Sequence, residues 1–238
     1  MWKLFDDLYI GIPSDLRIGG CVIGEKWTTV RANGNIGIAK TLQLPENPEK
    51  LAASFLGDFL RDTANYMKWD NLSRAAVGVA AMNAWYNTKD RADGLGGDCA
   101  APDLSGNVAY IGDYSEKNVF PLPMIPDFDA AGYERLRDFD TVVIAGEALT
   151  TRALPKLLDV IGERGNVVLA GYSLPCTALF FAFGMPVREL RGFYSKFSFK
   201  VEACSAKNTA DPTPGVMPFT VRQETVRKIC ESAKIAQS

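Results

Sequence analysis

Three short apolar runs in the second half of the chain each end in a glycine followed by a polar or aromatic residue. They are NVAYIGD at 107–113, TVVIAGE at 141–147 and NVVLAGYS at 166–173. The runs are β-branched and lack polar–apolar alternation, which indicates strands buried on both faces of a parallel sheet. Ligands of open α/β sheets usually lie outside the carboxyl ends of the strands, so the three turns are the predicted functional region.

The same turns argue against an ordinary dinucleotide site. None of them contains Gly-x-Gly-x-x-Gly, and Asp113 and Glu147 stand where a phosphate would otherwise lie. An acidic side chain at a helix N-terminus competes with a phosphate and favours a hydroxyl, an amine or a cation. The alternative is that both carboxylates only cap helices or turns. The glycine cluster at 94–97 follows no strand and is predicted to be linker.

The chain contains no histidine, which removes Ser-His-Asp and Cys-His catalysis and every imidazole metal site. A metal would therefore need oxygen ligands, thiolates from distant positions or a bound small molecule. The cysteines are scattered and odd in number, which suits a reducing cytoplasm. They are Cys21, Cys99, Cys176, Cys204 and Cys230.

Charge and hydropathy exclude two classes of partner. A net charge of −2 and a pI near 5.4 provide no basic surface for nucleic acid. No apolar stretch is long enough to cross a membrane, and the N-terminus lacks a signal-peptide pattern. We expect a cytoplasmic protein whose partner is a small molecule. The sequence leaves the oligomeric state open, including a homo-oligomer.

The pattern before residue 90 differs from the glycine-ended strands that follow. It predicts helices over 2–10, 48–67 and 71–86, and strands over 18–23, 27–31 and 36–42. Asn33-Gly34 is a strong hairpin signal between the last two strands. We predict an α+β domain over 1–92, a linker over 93–105 and an α/β domain with a mainly parallel sheet over 106–238.

The helix predicted around 73–87 is rich in small residues and carries one polar residue, Asn83, near its C-terminal end. Because this helix leads into the linker, Asn83 is expected to face a cleft between the domains. The alternative is a core amide with backbone partners. Tyr172 and Tyr194 lie near predicted turns, and a tyrosine offers a flat apolar body and a polar tip to a ligand.

The third turn has the clearest local chemistry. Ser173 is expected to cap a helix, with Pro175 in its first turn. Cys176 would then lie where the helix dipole lowers the pKa of its thiol, although a small buried residue against Leu179 and Phe180 is the more common arrangement.

The C-terminal region is less regular. Residues 196–202 alternate like an exposed edge strand, and 220–236 fit a terminal helix with Val226 and Ile229 inward. The proline-rich segment 208–218 fits a loop whose role is left open.

Five segments resemble the heavy-metal-chelation domain family, which began as a domain of unknown function. They are WTTV at 27–30, GVAAMNAWYN at 78–87, VVIAGEALTTRALPKLL at 142–158, VVLAGYSLP at 167–175 and LFFAFGMPVRELRG at 179–192. The resemblance follows most of the chain in order. It implies an enolase N-terminal-like domain, a Rossmann-like domain and a site in the cleft between them.

The matching positions combine with the residue-based candidates into one predicted ligand-binding set. It comprises Asn83, Gly112, Asp113, Tyr114, Gly146, Glu147, Leu149, Thr150, Gly171, Tyr172, Ser173, Gly192 and Tyr194. Two departures from the family pattern bear on the ligand. Ala145-Gly146-Glu147 stands where Thr-Gly-Ser is more usual at the second turn, and Thr151-Arg152-Ala153 stands where the family often has an asparagine followed by Gly-Thr.

Three functional hypotheses follow. The first is binding of a small molecule in the interdomain cleft, linked to heavy-metal chelation or metallophore metabolism, with the metal ion or its complex as the cofactor. The second is an enzyme with a nucleoside cofactor of the S-adenosylmethionine type, whose ribose hydroxyls Asp113 or Glu147 would bind. The third is a non-enzymatic metal sensor or carrier that uses the cysteines. The sequence leaves open whether a reaction is catalysed.

Overall fold

The computed structural model describes residues 3–100, 104, 106–112, 133–163, 165–182, 185–207 and 212–235. They form two sheets joined by one connecting segment. The first sheet has three antiparallel strands in the order β1-β2-β3: Ile18–Ile23, Trp27–Ala32 and Asn35–Lys40. The predicted strands agree with these within two residues. The hairpin at Asn33 and Gly34 has φ angles of 49° and 76°, as the two-residue turn requires.

The N-terminal helices pack against this sheet. Helix α1 covers Lys3–Ile10, and α4 covers Leu72–Tyr86 with Asn71 as its N-cap. A Cβ added at Gly37 of β3 would lie 2.6 Å from the carbonyl carbon of Asn83. Backbone therefore meets backbone between β3 and α4, which explains the small residues of this helix.

The single helix predicted over 48–67 is wrong. The chain forms α2 at Pro48–Ala53 and α3 at Leu60–Ala64, followed by a 3₁₀ turn at Asn65–Lys68. Between α2 and α3, Gly57 takes a φ of 84° and its N–H donates to the Ile18 carbonyl at 2.9 Å. Pairing with β1 thus interrupts the helical periodicity.

The second sheet has the order β4-β5-β6-β7-β8, in which the first four strands are parallel and the last is antiparallel. The strands are Val108–Ile111, Thr141–Ala145, Val167–Ala170, Val187–Ser195 and Val216–Arg222. The first three contain the three glycine-ended runs, and β5 and β6 are buried along their whole length. The predicted parallel strands are confirmed.

Further helices complete the described part of the chain. They are α5 at Lys89–Gly94, α6 at Glu147–Thr150, α7 at Leu154–Ile161, α8 at Ser198–Ala206 and α9 at Gln223–Ile235, with further 3₁₀ turns at Tyr133–Asp138, Ala178–Phe181 and Thr213–Gly215. Helix α5 is not among the helices predicted from the sequence, and the bridge between Asp98 and Thr220 ties the segment after it to the outer edge of β8.

Two C-terminal predictions are corrected. Residues 198–202 belong to helix α8, whose buried residues Val201, Cys204 and Ser205 have helical spacing. The terminal helix begins at Gln223, because the three residues before it extend β8. Val226 is buried as expected, whereas Ile229 is exposed.

The fold class predicted from the sequence is confirmed: a small α+β domain precedes a Rossmann-like domain with a mainly parallel sheet. No helix among the described residues has the length and hydropathy to span a bilayer.

Candidate functional site

The third turn, after β6, is fixed to the N-terminal domain by buried hydrogen bonds. The backbone N–H of Lys40 donates to Ser173 Oγ at 2.9 Å. Asn87 Nδ2 donates to the Leu174 carbonyl at 2.8 Å, and its Oδ1 accepts from the Cys176 N–H at 2.7 Å. Asn87, at the C-terminal end of α4, therefore bonds to two residues of this turn and fixes the turn to that helix.

The structure contradicts the capping role predicted for Ser173. No helix begins in the four residues after Ser173, and its hydroxyl accepts across the domain interface instead. The next helical turn starts only at Ala178, where Thr177 Oγ1 accepts from the Leu179 N–H at 3.3 Å. Without a helix N-terminus, the dipole that was expected to stabilise a thiolate at Cys176 is missing, and the charge of Arg91 only partly opposes the effect of burial. Cys176 is buried, and burial raises the pKa of its thiol to about 12. The buried-residue alternative is the correct one.

Asn83 lies at the interface between the domains and is fully buried. Its Nδ2 donates to the Ile38 carbonyl at 2.8 Å and, at 3.4 Å, to the Tyr172 carbonyl. Its Oδ1 is also buried and accepts no hydrogen bond within the part of the chain that the structure describes. A buried carbonyl oxygen without a donor is unusual in a native protein. Asn83 thus has the backbone partners of the core-amide alternative, and a cleft facing its Oδ1 stays a prediction.

Aromatic rings fill the interface beside the third turn. The Tyr172 ring stacks on Phe193 with 4.3 Å between centroids and meets Trp27 edge-on at 5.1 Å. Tyr172 is only 2% exposed, so its ring acts as a packing surface between the two sheets. Tyr194 is half-buried against the main core, and Gly192 faces the ring of Phe219.

The second turn, after β5, is joined to the N-terminal domain by charge. Lys40 Nζ lies 3.4 Å from Glu147 Oε2, and the two side chains are 12% and 13% exposed. A Cβ added at Gly112, the glycine after β4, would lie 3.0 Å from Glu147 Oε1. The ion pair therefore lies beside the carboxyl ends of β4 and β5.

Lys40 is the site residue that sequence reasoning missed. It is the last residue of β3, and a lysine at a strand end usually projects into water. One signal could have indicated it. The second turn departs from the family pattern by carrying Glu147, and a carboxylate near buried strand ends favours a cation nearby.

The other predicted residues of the second turn, Gly146, Leu149 and Thr150, are buried. Thr150 lies three residues after Glu147 on α6 and so on the same side of this short helix. It is fully buried, and its Oγ1 has no hydrogen-bond partner among the described residues. Leu149 is a core residue, and a Cβ added at Gly146 would lie 3.1 Å from the carbonyl carbon of Ser173.

Gly112 and Gly171 occupy equivalent places after β4 and β6. Their φ angles are 128° and 130°, which favour glycine. Asp113 and Tyr114, the two remaining predicted residues, lie outside the described residues.

Arg152 ends the second turn with an unusual backbone. Its φ is 62°, a left-handed value that a branched or long side chain rarely adopts. Arg152 Nη1 donates to the Trp69 carbonyl, and Nη2 lies 3.1 Å from Asp70 Oδ1. A second contact between the domains thus accompanies the Lys40–Glu147 pair.

Two further observations concern metal binding and a groove elsewhere in the described structure. Among the described residues, no three cysteine or acidic side chains come together as a metal site. An open groove of about 610 Å³ runs between α1 and α7, near the amino end of β7. It is therefore remote from the carboxyl ends of the strands, where the predicted residues meet.

Comparison with known proteins confirms the resemblance seen in the sequence. Residues 6–86 match one family and residues 111–189 match a second, both described as "putative heavy-metal chelation". A search among curated proteins gives no significant match.

Two solved structures share the fold across both domains. A protein of unknown function from Desulfitobacterium hafniense, in the second of these families, is 23% identical with a TM-score of 0.79, covering 93% of this chain and 97% of its own. A protein of unknown function in the same family from Pyrococcus horikoshii is 16% identical with a TM-score of 0.71, covering 92% and 98%.

Proposed function

We propose that this chain, which carries both heavy-metal-chelation domains, binds a small polar organic molecule where the second turn meets the N-terminal domain. The observation that carries the proposal is the Lys40–Glu147 ion pair. Two opposite charges, one from each domain, lie nearly buried beside the carboxyl ends of parallel strands, which is the usual place for a ligand in such sheets.

Buried polar atoms near this pair support a binding role. Asn83 Oδ1 and Thr150 Oγ1 are buried without hydrogen-bond partners among the described residues. The first is linked to the pair through β3, because Asn83 donates to Ile38 and Lys40 lies two residues further on. The second shares α6 with Glu147. Each atom is an acceptor suited to a hydroxyl or amine donor of a ligand.

The ion pair also favours an organic ligand over a bare cation at this position. The Lys40 ammonium already neutralises Glu147 and would repel a metal ion placed against the same carboxylate. A role in chelation is then best served by an organic molecule that carries its own metal ligands. We place the function in the cytoplasm, as the scattered reduced cysteines suggest.

Native mass spectrometry of the purified full chain, combined with elemental analysis of the same sample, tests the proposal. A co-purifying organic mass, with or without metal, that is lost in Glu147→Gln but kept in Glu202→Gln would support it. Glu202 is a suitable control because it pairs with Arg31 away from the second turn. Binding that is unchanged in Glu147→Gln would reject this site, and a bound nucleoside would favour the cofactor-dependent alternative.

A further inference from the structure

The outer edge of the first sheet includes a short stretch of β1 whose backbone is open to pairing with another strand. We infer that two copies of this chain join through β1, antiparallel and around a two-fold axis, so that their three-stranded sheets become one continuous sheet. This contact goes beyond the function proposed above. It lies on the opposite edge of the sheet from β3, which meets the C-terminal domain, and so leaves the second and third turns free.

The hydrogen bonds of the β1–β2 hairpin show which backbone groups of β1 point outward. The Gly24 N–H donates to the Trp27 carbonyl at 3.0 Å, so these two residues form a hydrogen-bonded pair. Bonded and non-bonded pairs alternate in an antiparallel ladder. Val22 therefore also bonds to β2, whereas Cys21 and Ile23 direct their N–H and C=O groups away from it. Within the described part of the chain, these outward groups have no hydrogen-bond partner.

The outward groups match those of a second β1. If Cys21 of one copy lies opposite Ile23 of the other, the two residues exchange both hydrogen bonds, and the two-fold axis repeats the pair. Val22 then faces Val22 of the second copy across the axis. Residues 19–23 have no charged side chain and no proline, so a strand that pairs with itself here meets neither like charge nor a blocked edge.

The open stretch of the edge ends at a neighbouring segment, residues 57–60. The Ile18 N–H donates to the Asp58 carbonyl at 3.0 Å, and the Gly57 N–H donates to the Ile18 carbonyl at 2.9 Å. A long extended peptide from another protein would collide with this segment. A second β1 does not, because it turns away at Gly24 into its own hairpin before it reaches the segment. The length of the open edge thus favours a second copy as the occupant.

Two exposed charges of opposite sign favour the same arrangement. Lys26 lies in the turn between β1 and β2, and Asp58 lies in the segment that ends the open edge. Neither side chain forms an ion pair with a described residue. In the register given above, Lys26 of one copy lies opposite Ile18 of the other, next to Asp58. The two-fold axis brings each lysine to the aspartate of the second copy.

Sedimentation velocity of the full chain over a range of concentrations tests whether the dimer forms. We expect a species of twice the 26.0 kDa of the chain. A monomer at every concentration up to the solubility limit would overturn the inference. A monomer that instead binds an extended peptide of another protein through β1 would overturn the assignment of a second copy as the occupant.

Disulfide cross-linking tests the register in a Cys99→Ser/Cys230→Ser background, which lacks the exposed thiols. Val22→Cys should form a disulfide-linked dimer on mild oxidation, because Cα atoms of a non-bonded antiparallel pair are about 4.5 Å apart, within the range of a disulfide. Gly19→Cys is the matched control. Its Cβ would have the Arg31 carbonyl oxygen as nearest neighbour at 3.8 Å, so the site accepts a side chain, but it lies far from the axis. The control and the background should stay unlinked.

Charge reversal tests the contact between the copies without altering β1. Lys26→Glu and Asp58→Lys should each raise the dissociation constant of the dimer by about tenfold, since the two-fold axis doubles each repulsion. Combined in one chain, the two substitutions restore the attraction and should return the constant to within about threefold of its original value. Glu231→Lys, at an exposed position of α9, should leave the constant unchanged.

The cross-link and the charge variants together locate the interface. A dimer that Val22→Cys does not link and that Lys26→Glu does not weaken would have its interface elsewhere, which overturns the inference. A cross-link at Val22 together with recovery in the charge-swapped double variant would support it. If either charge variant fails to fold, as judged by circular dichroism, the comparison of Val22→Cys with Gly19→Cys decides alone.

Discussion

The second and third turns occupy neighbouring positions in the fold but contact the N-terminal domain in opposite ways. Both follow buried parallel strands, and both meet residues from β3 and its neighbours. The third turn is held by neutral hydrogen bonds through Ser173 and Asn87. The second is held by the charges of Glu147 and Arg152.

The difference separates a structural anchor, at the third turn, from the binding site that we propose at the second. Hydrogen bonds between buried neutral groups are satisfied as they stand, so a ligand gains little by replacing them. A buried ion pair is costly to assemble and can exchange partners with a charged ligand. Equivalent positions after two adjacent strands therefore contact the N-terminal domain in one case through neutral hydrogen bonds and in the other through charge.

The largest expected effect concerns the reactivity of Cys176, which is buried in the third turn. Burial raises the pKa of Cys176 to about 12, against an ordinary value of 9.0. Near pH 8 the thiolate fraction of Cys176 should then be about 1000-fold below that of an unperturbed thiol. Iodoacetamide labelling of the native protein, mapped by peptide mass spectrometry, should modify exposed Cys99 and Cys230 and leave Cys176 intact. Equal labelling rates would show that this turn opens readily.

Asn87→Ala should produce the next largest effect, because it leaves the Leu174 carbonyl and the Cys176 N–H buried without partners. We expect a loss of about 3 kcal/mol in the free energy of unfolding, measured by urea denaturation. The matched change Asn47→Ala removes an exposed helix cap and should cost only about 1 kcal/mol. Similar losses in both variants would contradict the anchoring role of Asn87.

A smaller effect is expected at the second turn. Lys40→Met should lower the free energy of unfolding by about 2 kcal/mol, since it leaves the Glu147 carboxylate largely buried without this cation. The double variant Lys40→Met/Glu147→Met should recover most of that loss, because replacing a buried pair by apolar side chains is often neutral. Additive losses in a double-mutant cycle would mean that the two side chains do not interact.

The smallest expected effect distinguishes backbone strain at Arg152 from the loss of its side-chain contacts. Arg152→Gly and Arg152→Ala both remove the contacts with Trp69 and Asp70, but only glycine accepts the φ of 62° without strain. The glycine variant should be more stable than the alanine variant by about 1 kcal/mol in thermal or urea unfolding. Equal stabilities would indicate that the backbone relaxes once the side chain is lost.

Local sequence signals predicted the elements whose stability is local or periodic. The glycine-ended strands, the hairpin at Asn33-Gly34 and the small-residue helix α4 all follow from residue type and spacing. The predictions failed where a distant partner decides the structure. Pairing with β1 breaks the helix expected over 48–67, and the antiparallel partner β7 extends β8 into the start of the predicted terminal helix.

The residues of the candidate site show the same contrast between local signals and distant partners. Glu147 could be selected because it follows a recognisable strand, and Thr150 because it matches the family pattern, whereas Lys40 comes from a strand 107 positions before Glu147. Nothing local distinguishes Lys40 from a solvent-exposed lysine. The role of Ser173 was misassigned for a related reason, since its hydroxyl bonds to the same distant strand rather than to its own backbone.

The bridge between Asp98 and Thr220 has a consequence for how the protein behaves in a crowded solution. Both backbone groups of Thr220 are bound to Asp98, with N···O distances of 2.7 and 3.0 Å, on the side of β8 that faces away from β7. An outer strand with open N–H and C=O groups is a template for pairing with other chains. The segment that joins the two domains therefore also blocks part of the sheet edge against aggregation.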